Sequence, residues 1–198
     1  MSEVMSTLLG QRMRFHAYDQ NPSKIVRQSP QDLSPTFDSI GLKNTVCDAI
    51  QSMDITEPTA IQKATIPSIL DYKNVICSAE TGSGKTIAYL APIIQLIREF
   101  KEQKLEQTSG HLPKGLVVVP SRELAEQVGR VAQHLGTYCG IGVAVMMGGP
   151  PKHISHTGMD LIVSTIGLIQ PLIQKRNEIY NHNYNINNCH ILIENKLP

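Results

Sequence analysis

From residue 74 onward, short apolar runs alternate with longer stretches of helical period. "NVICSA" (74–79), "GLVVVP" (115–120), "GVAVMMGG" (142–149), "MDLIVST" (159–165) and "CHILIE" (189–194) have the length and the apolar, partly β-branched content of buried strands. Between them, "TIAYLAPIIQLIREFKEQ" (86–103) brings Tyr89, Ile93, Leu96, Ile97 and Phe100 to one side of a helix. Pro92 should kink that helix or lie near its start. "SRELAEQVGRVAQHLG" (121–136) places Leu124, Val128, Val131 and Leu135 on one face, with Gly136 a natural C-cap. "GLIQPLIQKRN", between the last two strand candidates, reads as helical in part. Upstream, "GLKNTVCDAIQSM" spaces Leu42, Val46 and Ile50 four apart, and "EPTAIQKATIPSIL" reads as a second short helix with Pro58 in its first turn.

Strands separated by helices require crossover connections. The pattern therefore predicts an α/β fold: a mostly parallel sheet of five or more strands, sandwiched by helices. Such sheets bind ligands at the carboxyl ends of their strands. Residues 20–36 are rich in Ser, Pro and Gln and read as a linker, and 177–188, rich in Asn, as an exposed loop.

Composition narrows the picture only in places. With 198 residues, 41% hydrophobic and 18% charged, the chain suits one globular domain plus a tail. No apolar run has the length of a membrane span. A net charge of +1 means that any nucleic-acid site must be a local patch. Cys47, Cys77, Cys139 and Cys189 form no C-x-x-C pair and read as reduced packing residues. His153 and His156 lack an evident third ligand. The basic, Ser- and Gln-containing first thirty residues fit either a disordered tail or a mitochondrial targeting segment; a nuclear or cytoplasmic location is the alternative.

The chemistry begins at "AETGSGKT" (79–86), between a strand candidate and a helix. Gly82 and Gly84 free the backbone to turn its N–H groups onto phosphate oxygens, aided by the helix N-terminus. Lys85 would reach the β- and γ-phosphates, and the Thr86 hydroxyl would ligate Mg²⁺. The general phosphate-loop pattern asks for Gly where Ala79 stands.

Ala79, Glu80, Thr81, Gly82, Ser83, Gly84, Lys85 and Thr86 together resemble motif I of the DEAD-box RNA helicases, which tolerate Ala in the first position. Pro58-Thr59-Ala60-Ile61-Gln62 resembles the family's Q motif, and Phe37 stands at the spacing of its upstream aromatic. The resemblance implies that Gln62, a donor and an acceptor in one amide, bonds the adenine edge while Phe37 stacks on its face. Pro120-Ser121-Arg122-Glu123-Leu124-Ala125 resembles motif Ia, with Ser for the usual Thr, and Gly148-Gly149 matches the Gly-Gly element. These imply RNA-backbone contacts through Pro120, Ser121, Arg122, Glu123, Gly148 and Gly149, independent of sequence. Taken alone, Arg122 and Glu123 would read as a helix-start charge pair.

Two elements depart from the family. Motif Ib appears as Thr165-Ile166-Gly167-Leu168, so Thr165 and Gly167 remain candidate RNA contacts without the usual Pro and Arg. "ILIENKLP" stands in place of motif II and keeps at most one acid, Glu194, a weak candidate for metal or water positioning. A splice or gene-model boundary after about residue 188 explains that change equally well. The resemblance thus implies a RecA-like ATP-binding lobe over 37–198, cut at motif II and without the second RecA-like domain. It implies an ATP hydrolase, using ATP and Mg²⁺ and binding RNA, monomeric and off the membrane, this chain alone being hydrolysis-deficient. A non-catalytic RNA- or protein-binding module is the alternative, and an unrelated phosphate-loop enzyme such as a small kinase leaves the Q-like and Ia-like segments unexplained.

Overall fold

The computed structural model describes residues 35–103, 113–147, 159–168 and the strand His190–Ile193. Helices α1 (Asn44–Gln51) and α2 (Ala60–Leu70) precede α3 (Lys85–Glu102), and then β1 (Gly115–Val119), α4 (Arg122–Cys139), β2 (Val143–Met146), β3 (Leu161–Thr165) and β4 (His190–Ile193) follow. The four strands among the described residues form one sheet in the order β2-β3-β1-β4, and every pair is parallel. Gly115 pairs with Leu161 and with His190, and Val143 pairs with Leu161, so the strands start level and end at one shared carboxyl edge.

Val117, Val119, Leu161 and Val163 point into the main core, where they meet Ile93, Ile94 and Ile97 of α3 and Leu124, Val128 and Leu135 of α4. Leu116, Val118 and Ile162 alternate to the other face and are buried as well. A strand buried on both faces cannot show a polar alternation, which is why these runs read as continuous apolar blocks. Val46 and Ile50 are buried on α1, and Leu42, two residues ahead of the helix, is buried as well.

α3 runs antiparallel to the strands. At its C-terminal end Lys101 pairs with Asp160, the residue before β3, at 2.8 Å. Ile93 and Ile97 lie over Gly115 at the start of β1, where a Cβ would come within 2.9 Å of Ile97. At about 1.5 Å per residue, the first turn of α3 then reaches the carboxyl edge. Asp160 is a hub for the opposite edge: its carboxylate also accepts from the N–H of Gly142 at 2.8 Å, and its carbonyl accepts from the N–H groups of Lys114 and Gly115.

Several local expectations change. The run 74–79 is not a strand: it pairs with none of the described strands, and Ile76 is 98% exposed. An apolar run becomes a strand only when a neighbour meets its N–H and C=O groups, and no local pattern encodes that neighbour. Helix α4 continues one turn past Gly136 to Gly140, the C-cap in left-handed conformation (φ 67°). Gly136 is instead a close-approach site, where a Cβ would lie 2.7 Å from the carbonyl of Ile141 and from Val143. Pro58 stands just ahead of α2, whose N-cap is Thr59. Pro92 lies in the interior of α3, among residues that are buried all round the helix from Ile87 to Ile97.

Candidate nucleotide and RNA site

The phosphate loop begins at Ala79 and enters α3 at Lys85, with Gly84 as N-cap in left-handed conformation (φ 89°) and Gly82 at φ 84°. L-residues with a Cβ rarely adopt such angles, so the two glycines set the turn. The Lys85 amine folds back over the loop and donates to the carbonyls of Ala79 at 2.6 Å and Glu80 at 2.5 Å. Glu80, Thr81 and Gly82 are exposed, and Ser83, Lys85 and Thr86 half-buried. A Cβ on Gly82 would meet nothing within 4 Å, so the mouth of the loop is open.

The segment that resembles the Q motif is built against this loop. Thr59 donates its hydroxyl to the carbonyl of Ser83 at 2.8 Å. Gln62 Nε2 donates to the carbonyl of Gly84 at 3.1 Å, while Oε1 accepts from the N–H of Thr59 at 2.9 Å. Gln62 is 1% exposed. Phe37, expected to stack on a base, is buried in the core cluster.

Gln95 was not singled out by its sequence, yet it anchors the segment after Phe37. Its Oε1 accepts from the N–H of Lys43 at 2.8 Å, and its Nε2 donates to the carbonyl of Gly41 at 3.1 Å. Its one signal was a lone amide within the apolar run "APIIQLI".

At the carboxyl edge of the sheet, Pro120 follows β1 and Thr165 ends β3, opposite Val119. Ser121 caps α4, its hydroxyl accepting from the N–H of Leu124 at 3.2 Å. Arg122 and Glu123 are exposed in the first turn. The Glu123 carboxyl is held below the usual carboxylate range by its own backbone N–H and then by the Ser121 hydroxyl. Gly167 is exposed beside Thr165. The structure thus brings Pro120, Ser121, Arg122, Glu123, Thr165 and Gly167 to the same edge as the phosphate loop. Gly148, Gly149, Glu194, His153, His156 and Cys189 lie outside the described residues. Cys47, Cys77 and Cys139 are free thiols, and Cys77 is exposed instead of packed. Among the described residues there is no cluster of three metal-binding side chains and no helix long and apolar enough to cross a membrane.

A family sequence model described as DEAD/DEAH box helicase matches residues 59–193, more than half of the chain. The chain belongs to this family. Among similar DEAD-box proteins are the Arabidopsis thaliana "DEAD-box ATP-dependent RNA helicase 39", 32% identical over 90% of this chain and 32% of that protein, and the human "Probable ATP-dependent RNA helicase DDX28", 45% identical over 71% of this chain and 27% of that protein. The chain therefore spans about a third or less of the length of these relatives. Among solved helicases, Prp28 from Chaetomium thermophilum bound to ADP superposes with a TM-score of 0.66 at 27% identity, over 80% of this chain and 38% of that one. A hypothetical ATP-dependent RNA helicase from Sulfolobus tokodaii gives 0.56 at 35% identity, over 68% of this chain and 37% of that one. The fold is thus that of a RecA-like helicase domain.

Proposed function

We propose that this chain is the ATP- and RNA-binding lobe of an ATP-dependent RNA helicase. The observation that carries the reading is the phosphate loop, which opens α3 at the carboxyl edge with the Lys85 amine lying across its mouth. An entering triphosphate would offer that amine charged oxygens in exchange for two neutral carbonyls, a stronger pairing. The N–H groups at the start of α3 would meet the phosphates, with the helix dipole favouring their charge. Thr86 would give one oxygen to Mg²⁺, whose remaining ligands would be phosphate oxygens and waters. Arg122, the N-terminus of α4, Thr165 and Gly167 would meet one RNA strand through its phosphates and sugars, reading no sequence. Within the longer protein the reaction would be ATP hydrolysis coupled to separating or remodelling RNA duplexes.

For the chain by itself we propose ATP–Mg²⁺ binding with little turnover. In most phosphate-loop hydrolases an acid after the strand that β4 represents holds the metal, and a second residue orients the attacking water. Here Ile193 is followed by Glu194, Asn195 and Lys196, and an Asn amide cannot take a proton usefully. The same three residues favour the second reading, a non-catalytic RNA- or protein-binding module derived from a helicase lobe. The test is thermal unfolding with ATP–Mg²⁺. A ligand at a hundredfold excess over its Kd stabilises by about 2.7 kcal/mol, and Lys85→Ala should remove that gain. Equal stabilisation of the variant would refute the phosphate-loop assignment, and steady ATP turnover by the wild-type chain would refute the module reading.

A further inference from the structure

We propose that Arg130, His134 and Tyr138 of α4 form a second contact for single-stranded RNA, set back from the carboxyl edge along the same helix. The proposal rests on the RNA-edge reading above, in which Arg122 of α4 meets the strand, and extends it down the outer face of that helix.

Residues four apart on a helix follow one another by roughly 6 Å along the axis and turn only roughly 40° around it. Arg130, His134 and Tyr138 therefore form a ladder. Its last rung is an aromatic ring that is 50% exposed. The Tyr138 ring lies 5.3 Å from that of His134, tilted by 39°, a separation at which two rings attract. His134 is itself fixed. The Ser52 hydroxyl donates to the carbonyl of Ala49 at 2.7 Å, so its oxygen must accept from His134 Nε2, also at 2.7 Å. This network assigns the ring hydrogen to Nε2. It holds the ring against the C-cap of α1 and leaves Nδ1 to a ligand.

The first rung is a cation without a counter-charge. Arg130 is exposed and pairs with no acid among the described residues. Glu126 stands at the four-residue spacing that favours such a pair, yet the two do not meet. By the helical period Glu126 falls on the other side of Arg130 from His134, so the ladder itself carries no acid. A free guanidinium suits a phosphate, which its fork of N–H groups matches. An exposed ring backed by a second ring is a platform on which a base can stack whatever its identity. Gln127, Gln133 and Thr137, around the ladder, are exposed and polar. A protein interface has an apolar core, so these surroundings favour a nucleic-acid strand over a protein.

The test is fluorescence anisotropy with oligouridine of about 16 nucleotides, the upper end of known single-strand site sizes. It compares the wild-type chain with Tyr138→Ala, Tyr138→Phe and Arg130→Gln on the ladder, and with Arg122→Gln at the edge. The proposal predicts that Tyr138→Ala weakens binding roughly 5-fold or more, the worth of one stacked base. Tyr138→Phe, which keeps the ring, should bind as wild type. Arg130→Gln should lower the slope of log Kd against log salt by roughly 0.7, the value of one phosphate contact on a single strand. A merely structural role would leave that slope unchanged. Tyr138 and Arg130 are exposed, so these variants should unfold at the wild-type midpoint. If Arg122→Gln weakens binding while Tyr138→Ala and Arg130→Gln bind as wild type, the proposal is overturned, the edge reading stands, and the face is left to a protein. If the wild-type chain binds no RNA, the edge reading falls and this proposal with it.

Discussion

The amide nitrogen of Gln62 donates to the carbonyl of Gly84 and occupies the space that a side chain on Gly84 would need, 2.5 Å from its would-be Cβ. Gly84 also holds φ at 89°. Two independent constraints, one steric and one conformational, thus demand glycine there. Gly84→Ala should cost roughly 1–2 kcal/mol in left-handed strain alone, and more as Gln62 is displaced. Thermal unfolding should show a lower midpoint, and the stabilisation by ATP–Mg²⁺ should disappear.

Asp160 is expected to be costly to replace. Its carboxylate, almost buried, meets the Lys101 amine and the Gly142 N–H, both at 2.8 Å. Lys101 remains about a third exposed, so solvent screens part of the charge attraction. Losing the acceptor leaves the Gly142 N–H without that partner, which puts the total on the order of 2–3 kcal/mol. Urea unfolding of Asp160→Ala should show this as a lower midpoint. Asp160→Asn, which keeps a side-chain acceptor, should recover part of it.

Glu123 makes a signed prediction about pH. Its folded carboxyl titrates lower than an unfolded one, held by its own N–H and by Ser121. The stabilisation is therefore present above the unfolded carboxylate value and lost as pH falls through the lower folded value. The melting temperature of Glu123→Gln should fall below wild type at neutral pH. The two curves should converge at acid pH, beneath both values. A constant offset at every pH would show that the charge of Glu123 contributes nothing.

The thiols should react in the order of their burial. Cys77 is exposed just ahead of the phosphate loop. Cys139 is buried at the end of α4, and burial pushes its thiol above the ordinary value. Cys47 is half-buried and its thiol is raised too, by burial first and then by Asp38 and Asp48. Since the thiolate is the reactive form, a maleimide at mildly alkaline pH should modify Cys77 well before the other two. Peptide mapping by mass spectrometry checks the order.

The helices and the phosphate loop were legible in the chain because their determinants are local. The four-residue spacing of Val46 and Ile50 needs only the helical period, and Gly82, Gly84, Lys85 and Thr86 carry their chemistry within five positions. The apolar blocks at 115–119, 143–146 and 161–165 were readable as strands for the same reason. Their order β2-β3-β1-β4 was not, since pairing is decided between residues far apart in sequence. That is also why 74–79, with a strand's composition, is no strand here: composition supplies the tendency and only a neighbour completes the hydrogen bonds. Tertiary structure likewise decided that Phe37 joins the core, that Gln95 anchors Gly41 and Lys43, and that Gln62 holds Gly84. A donor's identity is written in one residue, but its partner is whichever acceptor the fold brings within about 3 Å.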